Sequence, residues 1–130
     1  MRSIGAAVFA AFVLSCLLSW APAGPAVAEA VADKLREAAR VYLQGDYATA
    51  VSLWRPLADQ GHAMAQTNLG ILYAKGQGVP QDFVRAYMWF TLAGSFGNSE
   101  SAKYRDIVAS HMTPAQIAEA QRLAVAWQRR

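Results

Sequence analysis

Two stretches of this chain repeat the same kinds of residue in the same order, 36 positions apart. Asp46, Tyr47, Ala50, Val51, Trp54, Leu57, Ala58 and Gly61 are matched by Asp82, Phe83, Ala86, Tyr87, Phe90, Ala93, Gly94 and Gly97. Their apolar positions recur at intervals of three and four, the period of one helix face. A repeat of this length marks a helical solenoid. In such a fold a single helix pair cannot bury its apolar stripe alone, so neighbouring pairs must stack. Ala50 and Ala86 are small where helices have to cross closely, while Tyr47, Trp54, Phe83 and Phe90 fill the wider gaps. Asp46 and Asp82 are expected N-caps, since a short carboxylate can accept from the open amides of a first helical turn. Gly61 and Gly97 are expected stops.

The rest of the chain extends the same all-α pattern. A preceding helix is predicted with Val31, Leu35, Ala38, Ala39, Tyr42 and Leu43 on one face, broken at Gly45-Asp46. Another should run from about Ala63 to Lys75, and a further one from a cap at Asn98 to about Ser110. Pro56 removes an amide donor inside its helix and predicts a kink or a restart there. Thr113-Pro114-Ala115-Gln116 has the spacing of a capping box with proline at the first helical position. Met112 and Ile117 are placed to staple it. The helix that follows should bury Ile117, Ala120, Ala124 and Trp127 and present Gln116, Glu119, Arg122 and Gln128 to solvent, as a terminal cap requires. The expected architecture is an α/α superhelix of about three antiparallel helix pairs.

The first residues follow a different rule. MRSIGAAVFAAFVLSCLLSW has one basic residue followed by a long apolar run, and APAGPAVA then supplies small residues. These are the three parts of a secretory signal peptide, with Ala26-Val27-Ala28 as the site cut. Residues 1–28 are therefore expected to be removed, leaving a domain over 29–130. Export to the periplasm follows. Retention of the segment as an inner-membrane anchor, or secretion, are the alternatives. Cys16 in Val13-Leu14-Ser15-Cys16 only loosely fits a lipoprotein box, because Leu17 and Leu18 continue the apolar run. Cys16 is the sole cysteine. Its removal leaves no thiol for disulfides, metal or nucleophilic catalysis.

A family resemblance rests on the middle of the chain. Ala65-Gln66-x-x-Leu69-Gly70-x-x-Tyr73, then Gly76-x-Gly78-Val79-x-x-Asp82, then Ala86-x-x-Trp89-Phe90-x-x-Ala93, closing at Gly97, resembles the Sel-one-like repeat, a relative of the tetratricopeptide repeat. The full repeat covers about 61–97. Upstream, Gly45-Asp46-Tyr47-x-x-Ala50 looks like an ordinary tetratricopeptide turn, with Glu37-Ala38-x-x-Val41 where the Leu-Gly-x-x-Tyr signature would stand. Downstream, Asp106 occupies a position where a small residue is expected, and 98–130 is taken as capping helices. The resemblance implies a concave groove lined by the first helix of each pair, and a role in protein–protein contact. Carried over through Leu69, Gly70 and Tyr73, the groove positions are Met64, Thr67, Ile71 and Lys75, with Asn68 beside them.

Chemical alternatives find little support. His62 and His111 have no ligand partner at metal spacing on a shared helix face. No Gly-x-Ser-x-Gly, Ser-x-x-Lys or His-Glu-x-x-His motif is present. Ser95, Ser99 and Ser101 have no neighbouring histidine in sequence, and Glu100 and Asp106 stand alone. The Gly76-Gln77-Gly78 loop follows a helix rather than a strand, lacks a third glycine, and has Lys75 before it instead of after, which argues against a phosphate loop. The expected mature chain carries eleven Lys and Arg against nine Asp and Glu, dispersed rather than clustered, so nucleic acid is not an expected partner. No catalytic, cofactor or metal site and no small-molecule substrate is expected. A protein partner is, and the open solenoid ends also allow a homo-oligomer.

Overall fold

A computed structural model describes residues 24–130; the greater part of the expected signal peptide, residues 1–23, lies outside the described residues. Six helices follow in order: α1 (Pro25–Leu43), α2 (Tyr47–Asp59), α3 (Ala63–Lys75), α4 (Phe83–Ser95), α5 (Ser101–Ala109) and α6 (Pro114–Gln128). No strand occurs among the described residues. The position expected to be cut, after Ala28, falls inside α1. Asp33–Arg130 forms one compact unit.

The punctuation of the helices obeys local chemistry. Asp46 Oδ1 accepts from Thr49 N at 3.2 Å and Asp82 Oδ1 from Arg85 N at 3.0 Å, so both aspartates cap as the repeat predicts. Gly61 and Gly97 take φ of +93° and +103° just beyond α2 and α4, a conformation that costs a side-chain-bearing residue about 1–2 kcal/mol. Thr113 and Gln116 form the reciprocal capping box in front of α6. At Pro56 α2 is one uninterrupted helix, with the proline on its exposed side.

Packing makes this a helical solenoid. α3 lies against α4, α2 against α3, and α5 and α6 both pack on α4. The core contains Leu69 and Leu72 of α3, and Phe90 and Leu92 of α4, all nearly inaccessible to solvent. Burying each such side chain stabilises the fold by about 1.5–3 kcal/mol. Gly70 permits a close approach of α3 and α4: a Cβ there would fall 2.6 Å from Phe90 Cε1. Gln66, also fully buried, crosses to α2 and donates from Nε2 to the Ala58 carbonyl at 3.1 Å.

Three expectations need correction. The buried face of α1 within the compact unit is Ala38 and Val41; Ala39 is exposed and Leu43 is 82% exposed. Leu43 is the last helical residue, before the Gly45 turn, and is carried out of the stripe. α5 starts at Ser101, because Asn98 organises a turn instead of capping the helix. Its Oδ1 accepts from Glu100 N and its Nδ2 donates to Thr67. Finally, the buried face of α6 is Ala120 and Ala124, while Ile117 and Trp127 are only half-buried. α6 lies chiefly on α4, where Trp127 meets the edges of Trp89 and Phe96 at 6.3 and 5.9 Å.

Candidate functional site

Two apolar cavities adjoin α3, and both are lined by Ile71. The first, about 200 Å³, is bounded by Ala39, Tyr42 and Leu43 of α1, Trp54 of α2, and Asn68 and Ile71 of α3. The second, about 370 Å³, is bounded by Ile71, Ala74 and Lys75 of α3, Gln81, Phe83 and Phe90, then Tyr104, Ile107 and Val108 of α5, and His111. Together they follow α1, α3 and α5, the first helix of each successive pair. No carboxylate lines either one. Lys75 brings a positive charge and His111 a polar ring to the second.

Aromatic contacts fix the walls. Tyr42 packs on Trp54 with centroids 5.7 Å apart and on Tyr47 at 5.4 Å. Tyr104 stacks on Phe90 at 5.6 Å, and His111 stacks on Phe83 at 5.4 Å with the planes 16° apart. Such pairs contribute about 0.5–1.5 kcal/mol beyond their buried area. Ile107 is nonetheless 60% exposed and Leu43 82%. Apolar walls held rigid by aromatic contacts, with apolar tips left in water, suit a surface that a partner side chain can enter.

The five expected groove residues separate into three groups. Asn68, Ile71 and Lys75 line the cavities. Met64 is 60% exposed at the start of α3 and lines neither of them. Thr67 is a correction, being buried, with its hydroxyl donating to the Ala63 carbonyl at 2.9 Å and lying 2.8 Å from Ser101 Oγ. Asn98 donates to the same oxygen at 2.8 Å. Thr67 therefore ties α5 to α3 and is unavailable to a partner. The sequence reading missed the contributions of α1 and α5. The rule that located α3 applies equally to the first helices of the other pairs and leads to Tyr42, Leu43, Tyr104 and Ile107. His111, which has no ligand partner at metal spacing in the sequence, is exposed and also forms part of a wall.

The signature residues serve the scaffold. Leu69, Tyr73, Ala86, Trp89, Phe90 and Ala93 are buried. Gly76 adopts φ +67° and ψ +37° as the left-handed stop of α3. Gly78 adopts φ +73°, and a Cβ there would meet the Tyr47 backbone at 2.6 Å. Val79 is half-buried beside it. The loop between α3 and α4 therefore presses on the start of α2. Among the described residues no His, Cys, Asp and Glu group could hold a metal ion, and no helix is long and apolar enough to cross a membrane.

Comparison with known proteins agrees with this architecture. No curated protein sequence matches the chain. A family profile described as the Sel1 repeat matches residues 37–62 and again residues 63–97. The first match covers the upstream pair, where the sequence suggested an ordinary tetratricopeptide turn. Sel1 repeats generally mediate protein–protein interactions and act as non-catalytic scaffolds. Residues 37–97 of this chain are therefore two Sel1 repeats in tandem, as in Sel1-like repeat proteins.

Proposed function

We propose that this protein is an exported, non-enzymatic adaptor of the cell envelope, and that it holds a segment of a protein partner along α1, α3 and α5. The observation carrying this reading is the pair of apolar cavities sharing Ile71. Their walls are rigid aromatic pairs, and their linings contain no arrangement of nucleophile, base and oxyanion donor that chemistry would need. Export rests on the N-terminal pattern: a basic start, an apolar run, and Ala26-Val27-Ala28. The domain then extends over residues 29–130.

The reading is tested by placing a photo-crosslinking amino acid at Leu43, Asn68 or Ile107, and as controls at Ala118 or Gln121, which lie on the exposed side of α6 outside both cavities. The crosslink is made in intact cells, before the envelope is fractionated. One discrete adduct shared by the first three positions and missing from the controls is the expected result. Adducts of equal yield at all five positions would contradict a groove-specific role. Recovery of the protein only in the cytoplasm, with residues 1–28 still attached, would contradict export.

A further inference from the structure

Tyr73 ends the packed face of α3, and its phenol oxygen is approached from two other helices. Arg55 of α2 donates from Nη2 to that oxygen at 2.9 Å. Arg85 of α4 donates from Nη1 to the same oxygen at 3.3 Å, and its guanidinium carbon lies 5.7 Å from the ring centroid. The ring is only 5% exposed, so the oxygen is a fixed point rather than a mobile tip. Two positive charges are thus drawn together on one neutral atom, a costly arrangement unless an anion balances it.

The compensation within the fold is incomplete. Asp82 Oδ2 lies 3.5 Å from Arg85 Nε, while its Oδ1 is committed to the cap of α4. Arg55 has no carboxylate within ion-pair distance among the described residues. A guanidinium offers five N–H donors in a fixed fork. Those on Nε and Nη1 of Arg55 and on Nη2 of Arg85 make no hydrogen bond among the described residues. Arg85 is also held more firmly in its charged form, first by the bond to Tyr73.

The repeat pattern does not demand this pair. The residue 36 places before Arg85 is Thr49, and the residue 36 places after Arg55 is Thr91. Neither arginine is needed to build a repeat, and neither lines the two cavities. Arg55 comes from the first matched repeat, Tyr73 and Arg85 from the second. The three groups meet only when the repeats are stacked.

We propose that Arg55, Tyr73 and Arg85 form an oxyanion-binding site at the seam of the two repeats, which takes a carboxylate or phosphate group between the two guanidinium forks. Planar, forked donors match the paired oxygens of such groups. Both guanidiniums are partly open to water, so a free anion should bind weakly, with a dissociation constant on the order of 1 mM. The same contact made by an anionic group on a larger ligand would add orientation and a dependence on salt.

The test is a titration of the purified protein with inorganic phosphate, and separately with acetate, at constant ionic strength. The readout is the Nε–Hε resonances of Arg55 and Arg85. Saturable shifts of both signals are expected with one or both probes; the probe that saturates identifies the phosphate or carboxylate preference. Arg55→Gln should weaken binding about tenfold, and Arg55→Lys, which keeps the charge but not the fork, should fall between it and the parent. Thermal midpoints of the variants check that the fold is kept. Shifts that grow linearly without saturating with both probes, or an affinity untouched by Arg55→Gln, would overturn the proposal.

Discussion

The two repeats share their boundaries but differ inside. Both second helices start from an aspartate cap and end at a glycine of large positive φ. Aligned by the ends of their first helices, Leu43 and Lys75, Ala38 of the first repeat corresponds to Gly70 of the second. Ala38 is wholly buried, yet keeps its methyl group. Gly70 has no room for one, because Phe90 already occupies that space. The connecting turns differ as well. Gln44–Asp46 is a short turn whose Gly45 meets open space, whereas the loop of Gly76 to Asp82 leans on the first repeat through Gly78. The second repeat is the tightly fitted one, and its loop also positions its neighbour. A boundary motif can therefore be preserved while interior tolerance is not.

The comparison is sharpened first at the turns. Gly45→Ala should cost about 1–2 kcal/mol, from the positive φ alone. Gly78→Ala adds a clash with the backbone of Tyr47 and should cost about 3 kcal/mol, strain and overpacking combined. Urea denaturation of the two variants measures the difference, and equal losses would mean the loop does not brace α2. Next come the helix interiors. Gly70→Ala gains about 1 kcal/mol of helix propensity, but forces an atom against a Phe90 ring that cannot move into solvent. A net loss of about 1–2 kcal/mol is expected. Ala38→Gly should also lose about 1 kcal/mol, from propensity, so the two opposite exchanges both destabilise. The smallest effect is acidic. The hydrogen bonds from Thr49 hold the Asp46 carboxyl below its ordinary value of 3.8. A depressed carboxyl contributes stability above that value and loses it as pH falls through the folded value. Asp46→Asn keeps a capping oxygen without the titration, so its stability should fall less steeply below pH 3.8 than that of the parent.

Much of the scaffold could be read from the chain because it depends on local chemistry. The Asp46 and Asp82 caps, the Thr113 box and the glycine stops each involve residues only a few positions apart. The groove was legible in outline only. Asn68, Ile71 and Lys75 face the cavities by helical spacing, but Thr67 lies on the same helix and is buried. Its fate depends on Ser101 and Asn98, more than thirty residues away. Periodicity along one helix does not reveal which neighbour covers it. The same limit explains the outward turn of Leu43 and the docking of α6 on α4. The meeting of Arg55 and Arg85 on Tyr73 is likewise tertiary, and no local motif announces it.

The most direct test of the groove is the affinity of the purified, crosslink-identified partner for the parent protein and for Ile71→Asp. Ile71 lines both cavities, so a charge there should disturb both halves of the contact at once. Circular dichroism and thermal melting establish that the variant is folded, and Gln121→Asp on the exposed side of α6 serves as the charge control. A loss of at least about tenfold for Ile71→Asp, roughly 1.4 kcal/mol, with no change for Gln121→Asp, is the predicted result. Equal affinity of a folded Ile71→Asp protein and the parent would contradict the groove as the site of partner binding.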